Sequence, residues 1–153
     1  MGTFGKSMNQ LRRRGAVLAA YGGYLGLVVA WYLARRLDSM PLFMLVLPLS
    51  IVLLVGLAVL FTSWVWHAAN QPDPELDERQ LRVRDRAYLQ SYRVLAGATV
   101  VATVYGALAW DNGLWLPGTW NQVQALVWGV LLLTMTLPAA VIAWTEPDLP
   151  ADG

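Results

Sequence analysis

QPDPELDERQLRVRDRAYLQSYR, residues 71–93, is the one long charged stretch in a chain otherwise dominated by four apolar runs. Its charges are ordered as a helix wants them. Asp73-Pro74 offers an N-cap and a first-turn proline, with Glu75, Asp77 and Glu78 near the positive end of the helix dipole. Glu75 to Arg79 and Glu78 to Arg82 are i,i+4 pairs in the favoured order, each adding about 0.2–0.5 kcal/mol. At 100° per residue, Leu76, Val83, Ala87 and Val94 form one apolar stripe, and Leu81, Tyr88, Tyr92 and Leu95 a second. Arg79, Arg82, Arg86 and Arg93 gather on the opposite side. The spacing therefore predicts an amphipathic helix at a membrane surface, joining one pair of membrane spans to another.

Composition agrees. Of 153 residues, 57% are hydrophobic and 14% charged, too apolar for an ordinary soluble domain. The expected fold is all-α and integral to the membrane, one domain over residues 1–153. Its four transmembrane helices are placed at about 15–33, 42–66, 93–110 and 121–144, with the charged connector at 71–93 on the cytoplasmic side. Arg12, Arg13 and Arg14 before an apolar run resemble the n-region of a signal peptide. The run from Ala16 to Ala34 is nearer the ~20 residues of a full span than a signal h-region, however, and no small-x-small site ends it, so a retained span is expected.

Span one carries Gly22 and Gly26 as a GxxxG, continued by Ala30 and Ala34, and a second small-residue row at Gly15, Ala19 and Gly23. Span three carries Ala98, Ala102 and Gly106. Such rows let helix backbones approach in lipid, where no hydrophobic drive brings them together. Gly22, Gly26, Ala98, Ala102 and Gly106 are accordingly the expected helix-packing residues, inside the protomer or with a partner. Pro48 predicts a kink in span two, with Ser50 placed to bond a freed carbonyl, and Pro138 an interruption of span four. Thr134 and Thr136 are expected to face inward.

No helix breaker separates the connector from span three. A straight helix from Pro74 to Trp110 would run about 55 Å at 1.5 Å per residue, against a hydrocarbon layer of ~30 Å. The excess must project into the cytoplasm or bend along the interface.

Orientation follows from the arginines and lysines. With four spans, the termini and connector share a side holding Lys6, Arg12, Arg13, Arg14 and the five arginines of 79–93, against Arg35 and Arg36 opposite. The positive-inside rule then puts both termini in the cytoplasm. Trp31, Trp110, Trp115 and Trp120 mark the outer boundary, and Trp64, Trp66 and Trp144 the inner one.

Chemistry is conspicuously sparse. No Asp, Glu, Lys, Arg or His lies in the middle of any span, whereas ion paths and proton relays need such groups. With no cysteine and one histidine, His67, the chain lacks the usual means of nucleophilic or metal catalysis. No enzyme activity, cofactor or metal is expected, and His67 reads as a surface or packing residue. The expected contacts for lipid or a partner are Arg79, Arg82, Arg86 and Arg93, since a juxtamembrane arginine contributes about 1 kcal/mol near an anionic surface. A solvated face is the alternative, because Asp73, Glu75, Asp77, Glu78 and Asp85 match the five arginines in number.

Leu76-Asp77-Glu78-Arg79-Gln80 and Arg84-Asp85-Arg86-Ala87-Tyr88 resemble the DERQ-then-DRAY motif that precedes a span in uncharacterised bacterial small multi-pass membrane proteins. The resemblance covers this segment and the start of span three, and carries over no activity.

The functional expectation is a non-catalytic multi-pass protein of the cell inner membrane, an accessory or assembly subunit packing against a larger membrane complex. The alternative is a small oligomeric transport or channel protein with Thr99, Thr103, Thr134 and Thr136 lining a path. The partners implied are the lipid bilayer, a membrane protein or a second copy of the chain, and anionic lipid at the connector; no nucleic acid is expected.

Overall fold

The computed structural model describes residues 9–72 and 76–146, and those residues form helices and short connections with no strand. Helix α1 spans Gln10–Leu37, α2 Met40–Met44, α3 Val46–Phe61, α4 Trp64–Asn70, α5 Glu78–Asn112 and α6 Trp120–Thr145. Four stretches are long and apolar enough to cross a membrane: α1, the Met40–Phe61 unit formed by α2 and α3, α5 and α6. Large apolar side chains stand exposed along them, Leu18, Leu47, Leu54, Val101 and Leu131 among them. This is the arrangement expected where the surrounding medium is hydrocarbon, and the chain has the build of a multi-pass helical membrane protein.

Each helix end has a local cause. Asn9 opens α1 by accepting the Leu11 N–H, and Asp38 closes it in the left-handed conformation at φ 47°, its own N–H on the Ala34 carbonyl. Span two is broken at Leu45, between α2 and α3, three residues before Pro48. Proline has no N–H for the Met44 carbonyl, so the regular ladder fails there, and the expected kink becomes a break between two helices. Ser50 donates to the Val46 carbonyl at 2.8 Å, within its own helix, rather than to the carbonyl that Pro48 leaves open.

Span two also ends earlier than the apolar run suggested. Thr62 and Ser63 turn their hydroxyls back on the Ala58 and Leu60 carbonyls, α3 stops at Phe61, and Trp64 and Trp66 belong to the separate helix α4. Competition of this kind between hydroxyl and backbone favours helix termini.

The charged connector starts its helix later than Asp73-Pro74 implied. The N-cap of α5 is Asp77, which accepts the Gln80 N–H at 2.7 Å while the Gln80 side chain accepts the Asp77 N–H at 3.1 Å. This reciprocal capping box satisfies two orphan donors and fixes the start at Glu78. Asp73, Pro74 and Glu75 lie outside the described residues. From Glu78 the helix continues without interruption through span three to Asn112, 35 residues or ~52 Å at 1.5 Å each. Gly113, at φ 62°, closes it. Pro138 does not interrupt α6; it is buried within a helix that continues to Thr145.

The tightest packing is α1 against α3. A Cβ on Gly56 would lie 2.6 Å from the Ala20 nitrogen and 2.9 Å from the Ala16 carbonyl oxygen, and one on Gly23 would lie 2.9 Å from the Leu53 nitrogen. Absent Cβ atoms thus let the two backbones meet directly, and Ala16, Ala20, Gly23, Ala30 and Ala34 form the buried stripe of α1. Helix α6 joins α1 through two tyrosines: Tyr21 shares a 2.9 Å hydrogen bond with the Thr136 hydroxyl, and Tyr24 donates to the Ala125 carbonyl. The main buried cluster sits at one end of the bundle, where Val17, Leu60, Val65, Ala68, Ala87 and Ile142 bring α1, α3, α4, α5 and α6 together.

Candidate functional site

The closed end of the bundle is built by arginines and tryptophans. Arg13 is 0% exposed, stacks on Trp64 at 5.3 Å and reaches the Glu146 carbonyl at 3.4 Å. Arg14 stacks on Trp144 at 5.1 Å and donates to its carbonyl at 2.9 Å, and Gln10 donates to the Glu146 carbonyl at 3.2 Å. The last carbonyls of α6 have no partner within their own helix and carry the negative end of its dipole, so guanidinium groups from the start of α1 are well suited to them. These arginines tie the two described ends of the chain together. Their role exceeds an orientation signal, yet the only trace in the sequence is a basic triplet before one span and tryptophans at the ends of two others.

The connector arginines divide into two kinds. Arg84, at 14% side-chain exposure, donates to the Gln71 carbonyl at 3.0 Å and lies 3.7 Å from Asp85. It lines a hollow of about 400 Å³ with Asn70, Gln71 and Tyr88, pinning the foot of α5 against α4. Arg79, Arg82, Arg86 and Arg93 are exposed. Of the described acids, Asp77 caps its own helix and Asp85 lies beside Arg84, while Asp73 and Glu75 lie outside the described residues.

The small-residue faces also divide. Gly26 rests on the Leu49 side chain of α3, whereas a Cβ on Gly22 or Gly15 would meet open space. The face that α1 uses inside the bundle is therefore turned away from Gly22, towards Ala16, Ala20 and Gly23. Its counterpart Gly56 is a residue that row-counting overlooks, though a lone glycine in the run LPLSIVLLVGLAVLF was a visible signal.

On α5, Ala98 and Ala102 are exposed and Gly106 meets nothing within 4 Å. Every residue from Gly97 to Tyr105 is exposed, nine in succession, so about two and a half turns lie open to the surroundings. Among the described residues, those that α5 buries are Ala87 and Ser91 towards the foot and Ala109 at the top. There Tyr105 donates to the Trp115 carbonyl at 2.8 Å, anchoring the connection to α6.

The threonines do not converge. Thr99, Thr103 and Thr134 each donate to the carbonyl four residues back, from exposed positions, and only Thr136 is buried, against Tyr21. Thr134 thus faces outward, contrary to its expected inward position. His67 is exposed, its Nδ1 3.0 Å from the Ser63 carbonyl, and among the described residues no three His, Asp or Glu side chains gather as a metal site. Comparison of the chain with protein-family models, with curated proteins and with solved structures finds no match.

Proposed function

We propose that this chain is a non-catalytic, four-span protein of the bacterial cytoplasmic membrane that acts by binding, as an accessory or assembly subunit of a larger membrane complex. The observation that carries this reading is the unbroken exposure of α5 from Gly97 to Tyr105. A helix supported at both ends and bare in the middle leaves room for a foreign helix. Its Ala98-Ala102-Gly106 row has the small side chains that permit close approach. Between α1 and α3 the glycines Gly23 and Gly56 are already engaged, while Gly15 and Gly22 on α1 stay open.

In this reading both termini and the connector lie in the cytoplasm, because nine of the eleven lysines and arginines fall on that side. Arg79, Arg82, Arg86 and Arg93 then face the cytoplasmic headgroups or acidic groups of the partner beside the docked helix. The test is purification in mild detergent with quantitative identification of co-eluting proteins, together with photocrosslinkers placed at Ala98 and Ala102. A defined partner, or a second copy, crosslinked through α5 is the expected result; a stable lone monomer with no crosslink would overturn it.

A further inference from the structure

At the end of the bundle opposite the connector, α1 and α6 part to leave a lateral crevice of about 870 Å³. Its walls are apolar, with Leu25, Val28, Leu126 and Leu133 among them, and it extends from Tyr21 deep in the bundle to Arg36 at the end of α1. Fifteen residues of helix correspond to ~22 Å, more than the ~15 Å depth of one leaflet taken as half of the hydrocarbon core. The two tyrosine hydroxyls at its inner side are already engaged, Tyr21 with Thr136 and Tyr24 with the Ala125 carbonyl. The crevice therefore offers hydrocarbon-compatible surface along its length rather than a polar path.

Its polar groups collect at the mouth. There it merges with a second cavity of about 390 Å³, and Trp31, Tyr32, Arg36, Asn121 and Gln122 line both. Arg35 lines the outer cavity and stacks on Trp31 at 4.8 Å, which holds its guanidinium at the rim. The carbonyl end of α1 is closed by its own backbone, with the Ser39 N–H on the Ala34 carbonyl at 3.0 Å, so neither arginine is needed as a cap. Among the described residues no carboxylate lines either cavity; Asp38 and Asp111 stand exposed outside them. A cationic mouth on an apolar slot more than one leaflet deep is complementary to an amphiphile with an anionic head and a hydrocarbon tail.

We infer that this crevice binds an anionic phospholipid drawn from the leaflet at that end, its phosphate at Arg35 and Arg36 and an acyl chain between α1 and α6. Arginine suits this role because its planar fork meets phosphate oxygens in pairs. The site differs from the connector arginines in lying at the opposite end of the bundle, and it stands whether or not a protein docks on α5.

The test uses the full chain reconstituted into vesicles of phosphatidylcholine alone or with phosphatidylglycerol, each lipid carrying a photoactivatable acyl chain, with adducts mapped by peptide mass spectrometry. The expected result is adducts concentrated in residues 24–33 and 125–133, enriched with phosphatidylglycerol. Arg36→Gln is expected to lower that enrichment about fivefold, the effect of one juxtamembrane arginine, without changing the unfolding midpoint. Val28→Trp is expected to remove the adducts from both segments. Equal labelling by the two lipids, adducts spread evenly over α3 and α5, or disulfide linkage of two copies through Leu126→Cys would each overturn the inference, the last by giving the crevice to a second copy.

Discussion

Replacing Gly56 by alanine places a methyl group 2.6 Å from the Ala20 nitrogen and 2.9 Å from the Ala16 carbonyl oxygen. Carbon normally stops at about 3.5 Å from such atoms. Both obstacles are backbone, so no side chain can swing away, and α1 and α3 must separate by on the order of 1 Å. Overpacking of this kind costs roughly 1–3 kcal/mol, and the separation also loosens the Gly23–Leu53 contact. Alanine returns up to about 1 kcal/mol through its better helix propensity. A net loss of about 1–2 kcal/mol is expected.

Gly22→Ala is the matched control, since its new methyl meets open space; it should be neutral or stabilising by up to ~1 kcal/mol. Tryptophan fluorescence during titration from mild detergent into sodium dodecyl sulfate reports the unfolding midpoint of each variant. An unchanged midpoint for Gly56→Ala, or a larger loss for Gly22→Ala, would refute the α1–α3 interface and return the contact to the Gly22–Gly26 face.

Other perturbations test other joints. Arg14→Ala removes one charged hydrogen bond and one stacking contact from the end of α6, about 1 kcal/mol; hydrogen exchange should quicken in residues 141–146. Arg13→Ala, at a fully buried position, should cost more, about 2–3 kcal/mol by the same titration. Asp77→Ala breaks the capping box and should destabilise the start of α5 by about 1 kcal/mol, seen as faster exchange over residues 78–82 with α3 unaffected. Tyr21→Phe should cost about 0.6 kcal/mol and Thr136→Val somewhat more, because the threonine hydroxyl also donates to the Leu132 carbonyl, with the double variant little worse than Thr136→Val alone.

The number of membrane-length helices was legible because length and apolarity alone define such a segment, and the uninterrupted passage from connector to span three followed from the lack of any breaker. What escaped was decided by short-range competition or by pairing between distant segments. The start of α5 shifted from the expected Asp73-Pro74 because Asp77 and Gln80 satisfy each other. The end of α3 shifted because two hydroxyls, Thr62 and Ser63, outweigh the apolar character of VWH. Which glycine row of α1 packs is decided by Gly56 on another helix, and helical periodicity cannot see across helices. Likewise Arg13 and Arg14 looked like charge for orientation until α6 was found ending against them.

The most direct test of the architecture uses the natural absence of cysteine. Single cysteines at Asn9, Leu37, Asn70 and Gly118 are exposed to a membrane-impermeant maleimide in intact cells with the outer envelope opened, and again after the cytoplasmic membrane is permeabilised. The expected result is labelling of Leu37→Cys and Gly118→Cys before permeabilisation, and of Asn9→Cys and Asn70→Cys only after it. Labelling of either of the latter two in intact cells, or of Leu37→Cys and Gly118→Cys from opposite sides, would contradict a four-span chain with its connector and ends facing the cytoplasm.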